Sequence, residues 1–432
     1  MAKRHINRLG DLHSLFLRLE ELVLANSGQD EFDEVYKLLI AKLWDERSTG
    51  TKRFRIGATP EETQACIIEL LHEADAEWSG VLGDDREPLL TSQHLEVCVE
   101  ALTAHTITGD SFEVLDDFFE FMVSRGSKGS KGQYFTPRHV VEFCVRMLQP
   151  KWGETVLDPA CGSGGFLLHA LDYVRRNEAL QKSDLRNYCA QHIWGFDIDE
   201  RAVKVAKTLM LLAGDGQANI LNANSLIRPT VGDLFPDDVR RLTVEDVLRS
   251  RTRSHPGFDV ILTNPPFAGE VLEREILDTY QLTRGTQRAE RDVMFIERCI
   301  ELLRPGGRMA MVLPHNKFAA KHFLSVREWL RDECHIDGVV SLGRNTFLPH
   351  THQKASILFI RKRQARRESN ETEKIFFGIS ERAGKDSKGR LKLKDSATCN
   401  APLWDRVDHD LSDIVSQFEM PDDTRCKDTK HG

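Results

Sequence analysis

At 432 residues the chain is long enough for two or three domains with buried cores. With 40% hydrophobic and 29% charged residues, its composition excludes the fibrous and disordered classes. A formal net charge of −8 argues against a surface that grips nucleic acid everywhere, yet leaves a local groove open, because only the field at the groove matters.

The Met-Ala-Lys-Arg-His start has no apolar stretch behind it, so no secretory signal is expected. No apolar run approaches the roughly 20 residues of a membrane span. As far as Ser124 the apolar residues fall at helical spacing. Leu9, Leu12, Leu15, Phe16, Leu19, Leu22 and Val23 make one stripe; Phe32, Val35, Leu38 and Leu39 a second; Phe112, Leu115, Phe118, Phe119 and Met122 a third. With no strand-like alternation among them, residues 1–124 are expected to form an all-helical domain. Arg125-Gly-Ser-Lys-Gly-Ser-Lys131 then predicts a flexible basic hinge over 125–132, although a solvated charge run is the plainer reading.

Over 133–404, strand candidates alternate with helical patterns: Thr155–Leu157, Ile193–Phe196, Phe258–Thr263, Arg308–Leu313, Gly338–Leu342 and Ser356–Ile360. Such alternation predicts a doubly wound α/β sheet. Arg304-Pro-Gly-Gly-Arg308 supplies a tight turn between a helix at Val293–Leu303 and a strand. Arg361–Arg367, with five cations in seven residues, again reads most simply as a solvated face. Residues 405–432 are polar, as in a weakly ordered or partner-dependent tail. The nine cysteines are scattered singly, which suits reduced thiols in a cytoplasm better than disulfides or a structural zinc.

Asp158-Pro-Ala-Cys-Gly-Ser-Gly-Gly165 follows the first strand and opens an apolar helix, Phe166–Val174. Glycine there allows a sharp turn and close approach of a ligand to the main chain. The place is the carboxyl edge at which open α/β sheets bind ligands. The run is neither Gly-x-Gly-x-x-Gly nor a nucleoside-triphosphate loop, which needs Gly-Lys-Ser/Thr; an ordinary strand–helix turn is the plain alternative. The next strand ends in Phe196-Asp197-Ile198-Asp199. Asp197, at the strand end, is the candidate acceptor for both ribose hydroxyls of a nucleotide. Asp199 is placed to cap the helix Glu200–Leu212. A helical segment, Glu178–Ala190, accounts for the long spacing between loop and acid.

The most specific signal is Asp259-Val-Ile-Leu-Thr-Asn264-Pro-Pro-Phe267. Its prolines remove two donors and stiffen the chain, leaving carbonyl groups as acceptors. An aromatic amine is a poor nucleophile because its lone pair is delocalised into the ring. The Asn264 side-chain oxygen and the Pro265 carbonyl can each accept one N–H of such an amine. That grip draws the nitrogen towards tetrahedral geometry and frees the lone pair for in-line attack on a methyl sulfonium. Phe267 offers a face on which a base swung out of a duplex can stack. A turn with a buried Phe is the bland alternative. Gln133-Tyr134-Phe135-Thr136-Pro137 reads as a helix start, with Thr136 as cap and Pro137 at the first helical position. The Thr136 hydroxyl and nearby main chain can also hold the amino-acid end of a cofactor, shielded by the rings.

In this order the four motifs resemble those of adenine-N6 DNA methyltransferases. With helices in front, the chain is similar to the modification (M) subunit of type I restriction–modification systems, over roughly residues 5–400. The resemblance implies a Rossmann-like S-adenosylmethionine-dependent methyltransferase sheet behind the all-helical domain. It implies S-adenosylmethionine as methyl donor, held by Gln133, Tyr134, Phe135, Thr136, Pro137, Asp158, Ala160, Gly162, Ser163, Gly164, Asp197 and Ile198. A flipped adenine of double-stranded DNA would meet Asn264, Pro265, Pro266 and Phe267. The resemblance also implies a separate specificity (S) subunit that reads sequence and a restriction (R) subunit that can join, with no membrane involved. This chain departs from the pattern at Leu221-Asn-Ala-Asn224-Ser225-Leu226, where such enzymes often carry an acid that meets the cofactor adenine. Here Asn224, beside Ser225, takes that place. The chain is also short for the family, without a second large domain to read DNA.

Phe347-Leu-Pro-His-Thr-His-Gln-Lys354 resembles the family loop before the Ser356–Ile360 strand. Its histidines have no third ligand spaced to help, so no metal is expected. Cys161 lies in the Gly-rich loop rather than in a Pro-Cys pair, which disfavours a covalent cytosine mechanism. The expected chemistry is direct transfer without a dedicated general base. Two alternatives stay open: a protein-glutamine or RNA amino-methyltransferase using the same Asn-Pro-Pro-aromatic motif, and a non-catalytic cofactor-binding scaffold in a defence complex.

Overall fold

The computed structural model describes residues 4–5, 9–78, 80–83, 86–107, 116, 118–123, 135–178, 182–213, 219–228, 244, 257–365, 373–394 and 401–418. The 125–132 hinge lies outside them.

Among the described residues the front of the chain includes the helices α1 (Leu9–Ser27), α2 (Glu31–Arg47), α3 (Pro60–Glu77) and α4 (Ser92–Thr103). Their starts are written in short polar side chains. Asp30, Thr59 and Thr91 each accept a first-turn backbone N–H, and Pro60 sits where its missing donor costs nothing. The apolar stripes meet in one core of Leu15, Phe16, Leu19, Val35, Leu38 and Leu39, joined by Phe118, Phe119 and Met122 from helical residues 118–123. One parallel pairing of two-residue strands, Arg4–His5 with His105–Thr106, breaks the all-helical expectation.

Behind it, α5 (Arg138–Leu148) leads into an eight-stranded sheet. Its strands are β1 (Val156–Asp158), β2 (Ile193–Asp197), β3 (Asn219–Asn222), β4 (Phe258–Thr263), β5 (Leu303–Pro314), β6 (Cys334–Ser341), β7 (Ala355–Lys362) and β8 (Phe376–Ile379). They lie in the order β8-β6-β7-β5-β4-β1-β2-β3. The run from β5 to β3 is parallel, and β7 is antiparallel to both its neighbours. Helices α6 (Gly165–Glu178), α7 (Lys182–His192) and α8 (Glu200–Leu212) join α5 on one face. Helices α9 (Arg291–Leu302) and α10 (Leu324–Glu333) cover the other. This is the doubly wound, Rossmann-like arrangement.

Three departures from expectation have local causes. Strands β3 and β8 are short sheet edges: β3 is half polar, and β8, although apolar, is too short to show a strand period. The Arg304-Pro-Gly-Gly turn is a bulge inside β5: Leu303 pairs with Phe258 and Arg308 already with Val260, and Gly306 takes φ +79°. The polar tail expected from 405 is packed as far as Phe418. There α11 (Leu411–Gln417) buries Leu411 and Ile414 in the core beside α5, while residues 419–432 lie outside the described set.

The helical domain seats on α8. Ala202, Val205 and Leu209 of that helix belong to the front core. The buried Tyr36 hydroxyl bonds to Thr208 Oγ1 at 2.7 Å and lies 3.1 Å from the carbonyl oxygens of Val81 and Lys204.

Candidate active site

The sheet reverses its winding between β1 and β4, and the carboxyl ends of β1, β2 and β4 open there into one crevice. A cavity of about 270 Å³ occupies it. Among the residues singled out by sequence, Phe135, Ala160, Gly162, Asp197, Ile198, Asn224, Ser225, Asn264 and Pro266 line this cavity.

The Gly-rich loop is fixed by the strand beside it. Cys161 N–H donates to the Phe196 carbonyl at 2.9 Å, and Gly162 N–H to Asp197 Oδ2 at 2.8 Å. Gly162 takes φ +52°, and Gly164 takes φ +87° where a Cβ would come within 3.1 Å of Ala206 Cβ; both need glycine. Ser163 and Gly164 are packed in the loop and do not line the cavity. The Cys161 thiol is buried, and burial together with the carboxylates of Asp197 and Asp158 pushes its pKa well up. A thiolate there is disfavoured.

Asp197 is 7% exposed. Its Oδ1 accepts from Asp199 N–H at 2.9 Å while Oδ2 accepts from Gly162. Burial lifts its pKa to about 6 despite these donors. Asp199 caps α8, as its position implied. Asp158 stands elsewhere than expected: fully buried, it is absent from the cavity wall. Its Oδ1 accepts from Ala160 N–H at 3.0 Å and from Thr263 Oγ1 at 2.7 Å. It thereby ties the end of β1 to the residue before Asn264, and burial raises it to about 7.

Asn264 leaves β4 directly into the cavity wall. Pro265 is buried behind it. Phe267 is only 7% exposed and meets Phe347 edge-on, ring centres 5.4 Å apart at 62°. The Phe347–Lys354 loop thus packs its aromatic end against the motif and leaves His350 and His352 exposed. Among the described residues no group of three His, Cys, Asp or Glu can hold a metal ion.

At the other end, Gln133 and Tyr134 lie outside the described residues. Thr136 is buried but does not cap: the N-cap is Pro137, without a side-chain hydrogen bond, and α5 begins one residue later at Arg138. Pro137 accepts through its carbonyl from Val140 and Val141, which corrects its predicted first helical position. Arg138 pairs with Asp116 and Glu120 behind the Gly-rich loop.

Sequence reasoning missed part of the wall. Val123 reaches the cavity from the helical domain, and Glu270, Glu273, Ile276, Arg291 and Phe295 close the side facing β3. Val123 is one more apolar residue in a helical stripe. Glu270 and its neighbours belong to a two-residue ribbon, Glu270–Val271 against Ala289–Glu290, too short to carry periodicity.

Residues 110–404 match the family described as N-6 DNA Methylase. The chain is 32% identical over 244 residues to the "Type I restriction enzyme EcoEI methylase subunit" of Escherichia coli, covering 56% of this chain and 45% of that protein. It is 28% identical over 259 residues to the EcoKI methylase subunit of Escherichia coli strain K12, covering 59% and 45%. It therefore spans about half the length of these curated relatives. Among solved structures, the type I restriction-modification system methyltransferase subunit from Streptococcus thermophilus superposes with a TM-score of 0.60 at 18% identity, covering 96% of this chain and 94% of that one. That likeness shows the fold alone. The family match, spanning more than half of the sequence and the stretch from the Gly-rich loop to Asn-Pro-Pro-Phe, means that the chain belongs to the N-6 DNA Methylase family.

Proposed function

We propose that the chain transfers a methyl group from S-adenosylmethionine to the exocyclic N6 amine of an adenine flipped from double-stranded DNA. We propose further that it acts as the modification subunit of a type I restriction–modification complex, with a specificity subunit that reads sequence and a restriction subunit that can join. One observation carries the reading. Asn264, braced through Thr263 and Asp158, lines the same cavity as Asp197.

The residues fit the cofactor. The buried Asp197 carboxylate suits a ribose, Gly162 leaves the main chain approachable, and Phe135 gives an apolar side. Thr136, Pro137, Asp158, Ser163 and Gly164 would support this pocket from behind, with Ala160, Ile198, Asn224 and Ser225 on its wall. S-adenosylmethionine supplies an electrophilic sulfonium methyl when bound. Asn264 and the Pro265 carbonyl would accept the two amine hydrogens, and Pro266 would stiffen that geometry. Phe267, held edge-on by Phe347, would flank the base. A cytoplasmic location goes with a DNA substrate, and among the described residues no helix is long and apolar enough to cross a membrane.

The test is labelled-methyl transfer to DNA by the chain with its co-encoded specificity partner. Asn264→Ala should cut transfer at least about 100-fold, while S-adenosylhomocysteine binding stays within about threefold of the parent. Absence of methyl incorporation into any DNA would refute the reading.

A further inference from the structure

The loop between β6 and β7 carries Phe347, the ring that meets Phe267 edge-on. Within this loop Thr346 and Leu348 donate their N–H groups to the Gly343 and Asn345 carbonyls at 3.2 and 3.1 Å. His350 and Thr351 donate theirs to the Phe347 carbonyl at 3.0 and 3.1 Å. Such bonds give a loop its shape; its place in the molecule must come from contacts with other segments.

A hairpin of residues 384–392 makes such contacts. Lys385 and Leu391 pair across it, and Asp386 Oδ1 closes its turn by accepting the Lys388 and Arg390 N–H groups at 2.8 and 2.9 Å. The Lys385 ammonium donates to the Leu348 carbonyl at 2.8 Å, a charge-assisted bond to the residue after Phe347. At the tip Gly389 takes φ +80°, and a Cβ there would stand 2.5 Å from Pro349 N and 2.6 Å from the Leu348 carbonyl carbon. Only glycine lets the turn come so near. Just before the hairpin, Ala383 lies against Gly343, where a Cβ on the glycine would be 2.8 Å from that of Ala383. The loop is thus met at its start and again beside Phe347.

The hairpin is tied in turn to the cofactor side of the crevice. His139 Nε2 donates to the Ala383 carbonyl at 3.0 Å, and Gly384 packs against His139 and Val407. His139 is the second residue of α5, the helix that starts directly after Thr136 and Pro137.

We infer that this hairpin braces the acceptor side of the site, and that Lys385 is a positioning residue for methyl transfer. By holding Leu348 it holds Phe347, and through Phe347 the ring of Phe267. The inference rests on the function proposed above for what Phe267 flanks. Lys385 is not part of the cavity wall, so its loss should slow transfer and leave cofactor binding alone.

The test compares the full chain with Lys385→Met, which keeps the stem and removes the donor, and Lys385→Arg, which keeps a cationic donor. Hydrogen exchange of the Leu348, His350 and Thr351 amides reports the loop. Single-turnover transfer to saturating DNA free of N6-methyladenine, with the co-encoded specificity partner, reports the chemistry. In Lys385→Met the amides should exchange at least about fivefold faster and transfer should fall about tenfold, as for a displaced reacting group. S-adenosylhomocysteine affinity should stay within about twofold of the parent, and Lys385→Arg should recover most of both losses. A hairpin that only covers the sheet would leave transfer unchanged. Parent-like transfer by Lys385→Met therefore overturns the inference, as does a loss of rate matched by an equal loss of S-adenosylhomocysteine affinity. If the parent methylates no DNA, the proposed function fails, while the exchange rates still decide whether Lys385 holds the loop.

Discussion

Asp158 and Asp197 are both lifted by burial, to about 7 and about 6, yet they answer differently to the same substitution. An unfolded Asp titrates near 3.9. Between about pH 4 and 7 the folded chain therefore holds more protons than the unfolded one, and this pair's contribution to stability falls as pH rises. Both bonds to Asp158 end on one oxygen, so Asp158→Asn can keep them while removing the titration. Urea midpoints measured from pH 5 to 8 should decline less steeply in Asp158→Asn than in the parent; parallel curves would count against the assignment. Asp197 uses both oxygens for backbone N–H groups. In Asp197→Asn the amide must turn a donor against one of them, which should destabilise the fold by about 1–3 kcal/mol and weaken S-adenosylhomocysteine binding at least about tenfold. Asp197, Gly162 and Asn264 were legible in the sequence because their own chemistry marks them. Asp158 was legible as important but not in its role, since only the structure brings Thr263 to it.

Elements with a full period declared themselves. Glu200–Leu212 and Phe258–Thr263 match the predicted bounds residue for residue, as an amphipathic helix and a buried central strand should. Edge strands escaped: Asn-Ile-Leu-Asn of β3 is half polar, and Phe-Phe-Gly-Ile of β8 is too short to show an alternation and leaves Phe377 and Ile379 exposed. The start of α5 slipped by one because Thr136 has the right chemistry for a cap but is buried before it. How elements dock is invisible to periodicity altogether. Tyr36 illustrates this, with one hydroxyl facing α8 and the Val81 carbonyl. Tyr36→Phe should cost ~1–2 kcal/mol in chemical denaturation; an unchanged midpoint would show that this contact does not hold the helical domain in place.

For the whole molecule, the front helices and the sheet share a core through α8. A fragment lacking residues 1–107 would leave Ala202, Val205 and Leu209 without the side chains that bury them, an exposed apolar face of the sort that drives association. Such a fragment should aggregate or bind a hydrophobic dye strongly. A monodisperse fragment with the parent's affinity for S-adenosylhomocysteine would contradict this coupling.

Val123 gives that coupling a direction. A side chain from the helical part forms wall for a cavity whose other walls belong to the sheet and the elements packed on it. A molecule that fills the cavity must favour the seated arrangement of those helices if it touches Val123 in that arrangement alone. By linkage, anything that pulls the helices elsewhere must loosen that molecule by the same free energy. A protein bound to the outer side of the helical domain would then sense whether the methyl donor is loaded, without ever reaching the crevice.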